Sequence, residues 1–247
     1  MVPTQELLNE LTTMGFLRLH HVPRGVDTTR FDPAFRSSEL RQAWGVDDDT
    51  LVLICVSRLA AEKNLSLVFQ TYRRMVTQHP DIKLVLVGDG PLRNQLQTQY
   101  PEAIFAGFQT GKALSEHYAS ADIFMFASRT ETFGNVTLEA MASGLAVVAF
   151  DHAAAGQLIQ SGHNGMLARA DSDMDFEMAV QTLLNNKELM SLMASQISLR
   201  VAPSPCFCSD SLAFCSGDRG NSGTRQIDQT IVVTEITAPM TKEINVI

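Results

Sequence analysis

Long apolar runs are missing from this sequence, which excludes the simplest membrane architectures. The longest, Leu51 to Val56 and Leu145 to Phe150, reach about six residues, far short of the roughly 20 that cross a bilayer. The first residues are polar and acidic where a secretory leader needs a basic segment and an apolar core, so a cytoplasmic protein is expected. Positive charge is also scarce. Lys and Arg total 19 against 27 Asp and Glu, a net charge of −8. Such a balance argues against broad nucleic-acid binding, which needs a basic footprint to displace counterions, yet leaves room for a local phosphate site. Only four cysteines occur. Cys55 lies inside an apolar run and reads as inert core. The spacing of Cys206, Cys208 and Cys215 matches no zinc pattern with a fourth ligand, and no His occurs beyond residue 200, so no structural metal is expected. No Gly-x-Gly-x-x-Gly follows the first apolar strand, which argues against a dinucleotide enzyme.

What is present is an ordinary globular composition, 45% apolar and 19% charged over 247 residues, enough for one large or two small domains. Leu7, Leu8, Leu11 and Met14 fall at helical spacing between a capping Thr4 and Gly15. His20 and His21 are adjacent and would point to opposite faces of a strand, which argues against a shared ligand. A polar connection punctuated by Pro23, Gly25 and Pro33 follows.

From Leu51 the pattern becomes regular. Apolar strands are expected over Leu51–Ser57, Ile82–Val87, Ile104–Ala106, Asp122–Phe126, Ala146–Phe150 and Met166–Leu167. Helices are expected between them: one capped by Asn64 with Leu65, Val68, Phe69, Tyr72 and Met75 on its apolar face, then others near Thr110–Ser120, Gly156–Gln160 and Asp173–Leu184. Strands alternating with helices predict an α/β fold, a parallel sheet with helices on both faces. Ligands of such sheets bind outside the carboxyl ends of the strands, at the switch point of strand order.

Two constellations sit at those ends. Ser57-Arg58-Leu59-Ala60-Ala61-Glu62-Lys63-Asn64 leaves the first strand with two cations on a loop before a helix N-terminus, suited to a diphosphate; exposed basic groups paired with Glu62 are the competing reading. Thr130 to Gly144 joins the fourth strand to a short helix and sets Glu131 and Glu139 eight positions apart. With Asn135 as N-cap, the amides around Phe133, Gly134 and Asn135 would sit at the positive helix end, which attracts phosphate. Two separated carboxylates can then orient two sets of hydroxyls. For an arbitrary pair at this spacing, solvated surface groups are the commoner reading. Gly88-Asp89-Gly90-Pro91 and Gly107-Phe108 are weaker signals, since glycines after strands more often mark turns.

The stretch from Glu131 to Gly144 closely resembles the Glu-x7-Glu signature of the retaining glycosyltransferases of the two-Rossmann-domain, or GT-B, type, family 4 or group 1. It looks nearest to GDP-mannose-dependent α-mannosyltransferases and sulfoquinovosyl-diacylglycerol synthases. The resemblance covers about residues 20 to 190 and implies the C-terminal, donor-binding half of a GT-B fold. It places the donor hexose on Glu131, the sugar and phosphates on Thr132, Phe133 and Gly134, and the ribose on Glu139. Arg58 and Lys63 would hold the leaving diphosphate, and backbone near Gly88 and Phe108 would border the nucleobase. No cofactor or metal is implied; the donor would be GDP-mannose or a UDP-hexose. The implied activity is transfer of a hexose, with mannose one candidate, from a nucleoside diphosphate to a glycan or lipid acceptor. The resemblance further implies retention without an enzyme nucleophile, with the leaving phosphate assisting the acceptor on the same face. A lipid acceptor would bring peripheral membrane association of a full-length enzyme, at the inner face of the membrane.

The sequence departs from that pattern in three places. Ala153-Ala154 and Gln157 stand where relatives carry a Gly-Gly pair and an acidic residue. Residues 1–22 read as the last helix and linker of an acceptor domain, with residues 23–200 as the nucleotide-sugar-binding domain. Residues 201–247, rich in Ser, Gly, Thr and Cys, lack helical periodicity and read as a disordered tail. The alternatives are therefore a non-catalytic nucleotide-sugar-binding fragment and, with less support from the Glu131 and Glu139 pairing, a sugar-nucleotide epimerase of related build.

Overall fold

The computed structural model describes residues 2–22, 24–131 and 133–201, with side chains described as far as residue 195. Six strands form one sheet: β1 (Val52–Val56), β2 (Lys83–Val87), β3 (Ile104–Gly107), β4 (Ile123–Phe126), β5 (Ala146–Phe150) and β6 (Met166–Ala168). All neighbours are parallel and the order is β3-β2-β1-β4-β5-β6. The order reverses between β1 and β4, where Leu53 pairs with Ile123 and Ile54 with Phe124.

Alternation of side chains across the pleat divides the core in two. Leu53, Cys55, Leu84, Leu86, Met125 and Val148 face one layer, covered by α3 (Leu65–Val76), α4 (Arg93–Gln99) and α8 (Asp173–Asn185). Val52, Ile54, Val56, Val85, Phe124 and Val147 face the other, covered by α5 (Gly111–Ala119), α6 (Asn135–Ala142) and α7 (Ala153–Leu158). Buried on both faces, the strands are near-continuous in apolar residues, as parallel strands require. The apolar face expected of α3 is the buried one: Leu65, Val68, Phe69, Tyr72 and Met75 are all in the core.

Three further α-helices, α1 (Gln5–Thr13), α2 (Ser38–Ala43) and α9 (Lys187–Val201), and two 3-10 turns at Pro33–Phe35 and Ala61–Lys63 complete the described chain. Thr4 caps α1 as expected, accepting from the Leu7 amide at 3.2 Å, but only Leu11 of its apolar positions is fully buried and Met14 is exposed. The short α2 is not among the helices expected from the sequence. It is pinned by Arg41, which is buried and donates to the carbonyls of Ser120 at 2.7 Å and Thr50 at 2.6 Å. The unpredicted α9 lies beside α6, α8 and β5, with Met193 in the core. None of the described helices is long and apolar enough to cross a membrane. The expected tail lies outside the described residues apart from Val201, which closes α9.

Local geometry departs from expectation at three helix starts. Asn64 does precede α3, but in the left-handed region (φ 50°) and without a side-chain capping bond. Gly134, not Asn135, is the N-cap of α6, at φ 91°, a conformation that suits a residue without Cβ. α7 begins three residues earlier than expected, and Ala153 at its first position holds φ 52°. Left-handed angles are uncommon for alanine. This is the place where the resembled family carries glycine.

Candidate donor-binding site

The carboxyl ends of β1 and β4 are neighbours at the switch point, so the loops that leave them meet over one open cleft of about 430 Å³. From the β1 side come Ser57, Arg58 and Lys63; from the β4 side come Glu131, Phe133 and Gly134. The first turn of α6 borders the cleft without a side-chain cap, so the positive end of its dipole is open toward it.

Lys63 and Glu131 form an ion pair across the cleft, with side chains 18% and 15% exposed. Arg58 is 67% exposed and pairs with Glu62 one turn away, the competing arrangement raised by the sequence, while still lining the cleft. Backbone hydrogen bonding, and then Arg58 and Lys63, hold Glu62 below the ordinary carboxylate range. The adjacent Cys55 thiol is pushed up to about 12 by burial and stays protonated, in keeping with an inert core residue.

Glu139 lies on the inward side of α6, where the Tyr118 hydroxyl donates to its Oε2 at 3.0 Å. Burial raises its pKa, opposed by that hydrogen bond and by the charge of Arg30. Tyr118, buried on α5, is raised well above the ordinary phenol value, first by burial and then by the Glu139 charge.

Glu139, Gly88 and Phe108 are not among the described lining of the cleft. Gly88 closes β2 at φ 135°, where a Cβ would fall 1.9 Å from the Ser57 carbonyl oxygen; its glycine is demanded by that approach. Phe108 is 72% exposed just past β3. Thr132 lies outside the described residues.

Three residues here carry no site role in the sequence reading. Arg24 lines the cleft and stands 6.0 Å from the centroid of the Phe133 ring. Arg30 acts on Glu139 from the same connecting segment, and Tyr118 holds that carboxylate. Arg24 opens the segment Arg24-Gly25-Val26-Asp27, which resembles the family's passage between its two domains, but the sequence attaches no ligand role to any of the three, and their tertiary placement supplies it.

Residues 36–198 match the family described as glycosyl transferases group 1. The chain belongs to that family. This group 1 chain is 33% identical over 226 residues to the GDP-mannose-dependent alpha-mannosyltransferase of Mycobacterium tuberculosis, covering 91% of the chain and 58% of that protein. It is 32% identical over 204 residues to the sulfoquinovosyl transferase SQD2 of Arabidopsis thaliana, covering 78% of the chain and 39% of SQD2. The chain thus spans about half the length of the curated relatives it matches. Among solved structures it superposes on Anabaena Alr3699/HepE in complex with UDP and glucose, with TM-score 0.69, 23% identity and coverage of 81% and 57%. It also superposes on the C-terminal domain of LpcC, a group 1 family protein of Francisella tularensis, with TM-score 0.63 and 25% identity, covering 72% of the chain and 96% of that domain. The parallel sheet and these likenesses identify the fold of this group 1 domain as the C-terminal, Rossmann-like half of the GT-B build.

Proposed function

We propose that this domain binds the nucleoside-diphosphate sugar of a retaining hexosyltransferase. The observation that carries the reading is the meeting of Lys63 and Glu131, 68 residues apart, across the switch-point cleft, with Arg58 on the same wall. Arg58 and Lys63, released from Glu62 and Glu131, supply positive charge for a departing diphosphate, Arg as a planar fork and Lys as a point charge, without calling on a metal. Glu131 accepts from hydroxyls of the hexose, and the open start of α6 takes the phosphates or sugar through backbone amides. Glu139 is set for a second diol, that of the ribose.

In the transfer itself, the bond between the anomeric carbon and the phosphate oxygen breaks, and the diphosphate leaves with the electron pair. A bond to the acceptor oxygen forms on the same face, and the acceptor proton passes to the leaving phosphate. The donor class is GDP-mannose or a UDP-hexose, and the acceptor is a glycan or a lipid headgroup. The names of the GDP-mannose-dependent relatives in mycobacteria favour mannose among the hexoses. Calorimetric titration with GDP, UDP, GDP-mannose and UDP-glucose tests the reading, with Arg58→Ala and Glu139→Ala as comparisons. Selective binding weakened by both substitutions is expected. A folded chain that binds none of the four overturns it. Turnover with glycan and lipid acceptors, measured separately, distinguishes transfer from donor binding alone.

A further inference from the structure

Beside the main cleft, and sharing Glu131 and Phe133 with it, lies a second cavity of about 10 Å³. Ser128 and Thr137 line it, and they are only 4% and 1% exposed. Neither hydroxyl meets a hydrogen-bond partner among the described residues. A buried hydroxyl without a partner costs more than an ordinary hydrogen bond contributes, and native interiors contain few of them. Two that line the same space point to a shared ligand.

The size and the chemistry name it. About 10 Å³ is the volume of one water-sized sphere, and a buried water needs two to four polar partners. Ser128 Oγ and Thr137 Oγ1 are two. The Glu131 carboxylate supplies the third: Lys63 holds its Oε1, which leaves Oε2 for another donor. Thr137 and Glu131 both approach Gly134, where an added Cβ would lie 3.8 Å from Thr137 Oγ1 and 3.9 Å from Glu131 Cγ, and Ser128 lines the same cavity.

We propose that Ser128 and Thr137 together hold one ordered water against the Glu131 carboxylate, and that this water fixes the carboxylate for the donor hexose. The inference rests on the donor-site reading above. Ser128 and Thr137 are then positioning residues that act through Glu131. Their role matters most when a bound diphosphate draws Lys63 away, because the water then remains to orient Glu131.

The test compares Thr137→Val, close in shape but without the hydroxyl, with Ser128→Ala and with Thr137→Ser, which keeps it. Each full-length variant is titrated with UDP against UDP-glucose and with GDP against GDP-mannose. The loss of a hydrogen bond to a charged group predicts that Thr137→Val and Ser128→Ala weaken the sugar nucleotide about tenfold while free diphosphates stay within about twofold. Thr137→Ser restores the sugar nucleotide. Equal weakening of both ligand types, or no change in either, overturns the proposal. A crystal structure fine enough to show waters is a second arm: density between the two hydroxyls and the carboxylate is expected, and a dry cavity overturns the water site whatever the binding data. A wild type that binds no nucleotide overturns the donor-site reading and the hexose role with it, while the density still decides the water.

Discussion

Lys63 and Glu131, which leave different strands, neutralise each other across the cleft. Each belongs to a different task in the proposed reaction, Lys63 to the diphosphate and Glu131 to the hexose, so a donor must separate them. The ion pair therefore competes with the ligand for both groups.

This competition gives an unequal prediction for Glu131→Gln. Removing the carboxylate charge frees Lys63, so free UDP or GDP should bind as well as to wild type or a few-fold more tightly. The sugar nucleotide should lose about tenfold, the loss of hydrogen bonds to a charged acceptor. Calorimetry with the two ligands side by side reads the split; parallel losses would show that the pair organises the cleft instead of competing with the donor. Lys63→Met should weaken both ligands, since it removes the diphosphate contact and leaves Glu131 without its partner.

Glu139 supplies a pH dependence with a definite sign. Its carboxyl is raised above the ordinary value of 4.5, chiefly by burial. The native state therefore holds this proton more tightly than the unfolded chain does. The group's contribution to stability is greatest below 4.5 and falls as the pH rises through the raised folded value. Replacing it by Gln removes that slope, so Glu139→Gln should gain thermal stability relative to wild type as the pH is raised toward neutrality, while nucleotide affinity falls about tenfold or more. Melting curves at several pH values and one titration at neutral pH check both halves. Donor hydroxyls favour the ionised carboxylate, so wild-type affinity should climb with pH over the same window.

Tyr118→Phe isolates the hydrogen bond to Glu139. Without the 3.0 Å donor the charged carboxylate is less well held, its pKa rises further, and the window of pH-dependent affinity moves upward. An unmoved pH profile would mean that Tyr118 only fills space.

Gly88→Ala should be costly for a structural reason. The new methyl would meet the Ser57 carbonyl oxygen at 1.9 Å, at a φ of 135°. Strain and displacement of this kind cost about 1–3 kcal/mol or more. Because Ser57 begins the loop that carries Arg58 and Lys63, diphosphate affinity should fall with stability. Denaturant unfolding and UDP or GDP titration report the two effects.

Arg41 is the control far from the cleft. Its guanidinium is buried, donates to main-chain carbonyls of Ser120 and Thr50, and lies 3.5 Å from Asp122. Arg41→Ala should destabilise by about 3–5 kcal/mol, the scale for removing one side of a buried charge network. Nucleotide affinity of the folded fraction should not change.

The division between sequence and structure follows from the range over which each interaction acts. The alternation of apolar runs with helical faces is local, and by itself it determined a parallel sheet covered on both sides; strands from β1 to β6 lie where the apolar runs are. The Glu131 and Glu139 spacing and the Arg58 and Lys63 loop are local too, and with the family resemblance they marked the edge of the sheet that carries the cleft. Backbone detail was less legible. Asn135 had the chemistry of a cap, yet the left-handed turn was taken by Gly134, whose missing Cβ makes that angle easy. What only the tertiary structure decided is which groups meet: Lys63 with Glu131, Tyr118 with Glu139, Arg24 with Phe133, and Ser128 with Thr137 around one small cavity. Those pairings depend on β1 and β4 lying side by side, and strand order arises from burial of the whole sheet, with no single segment of the chain encoding it.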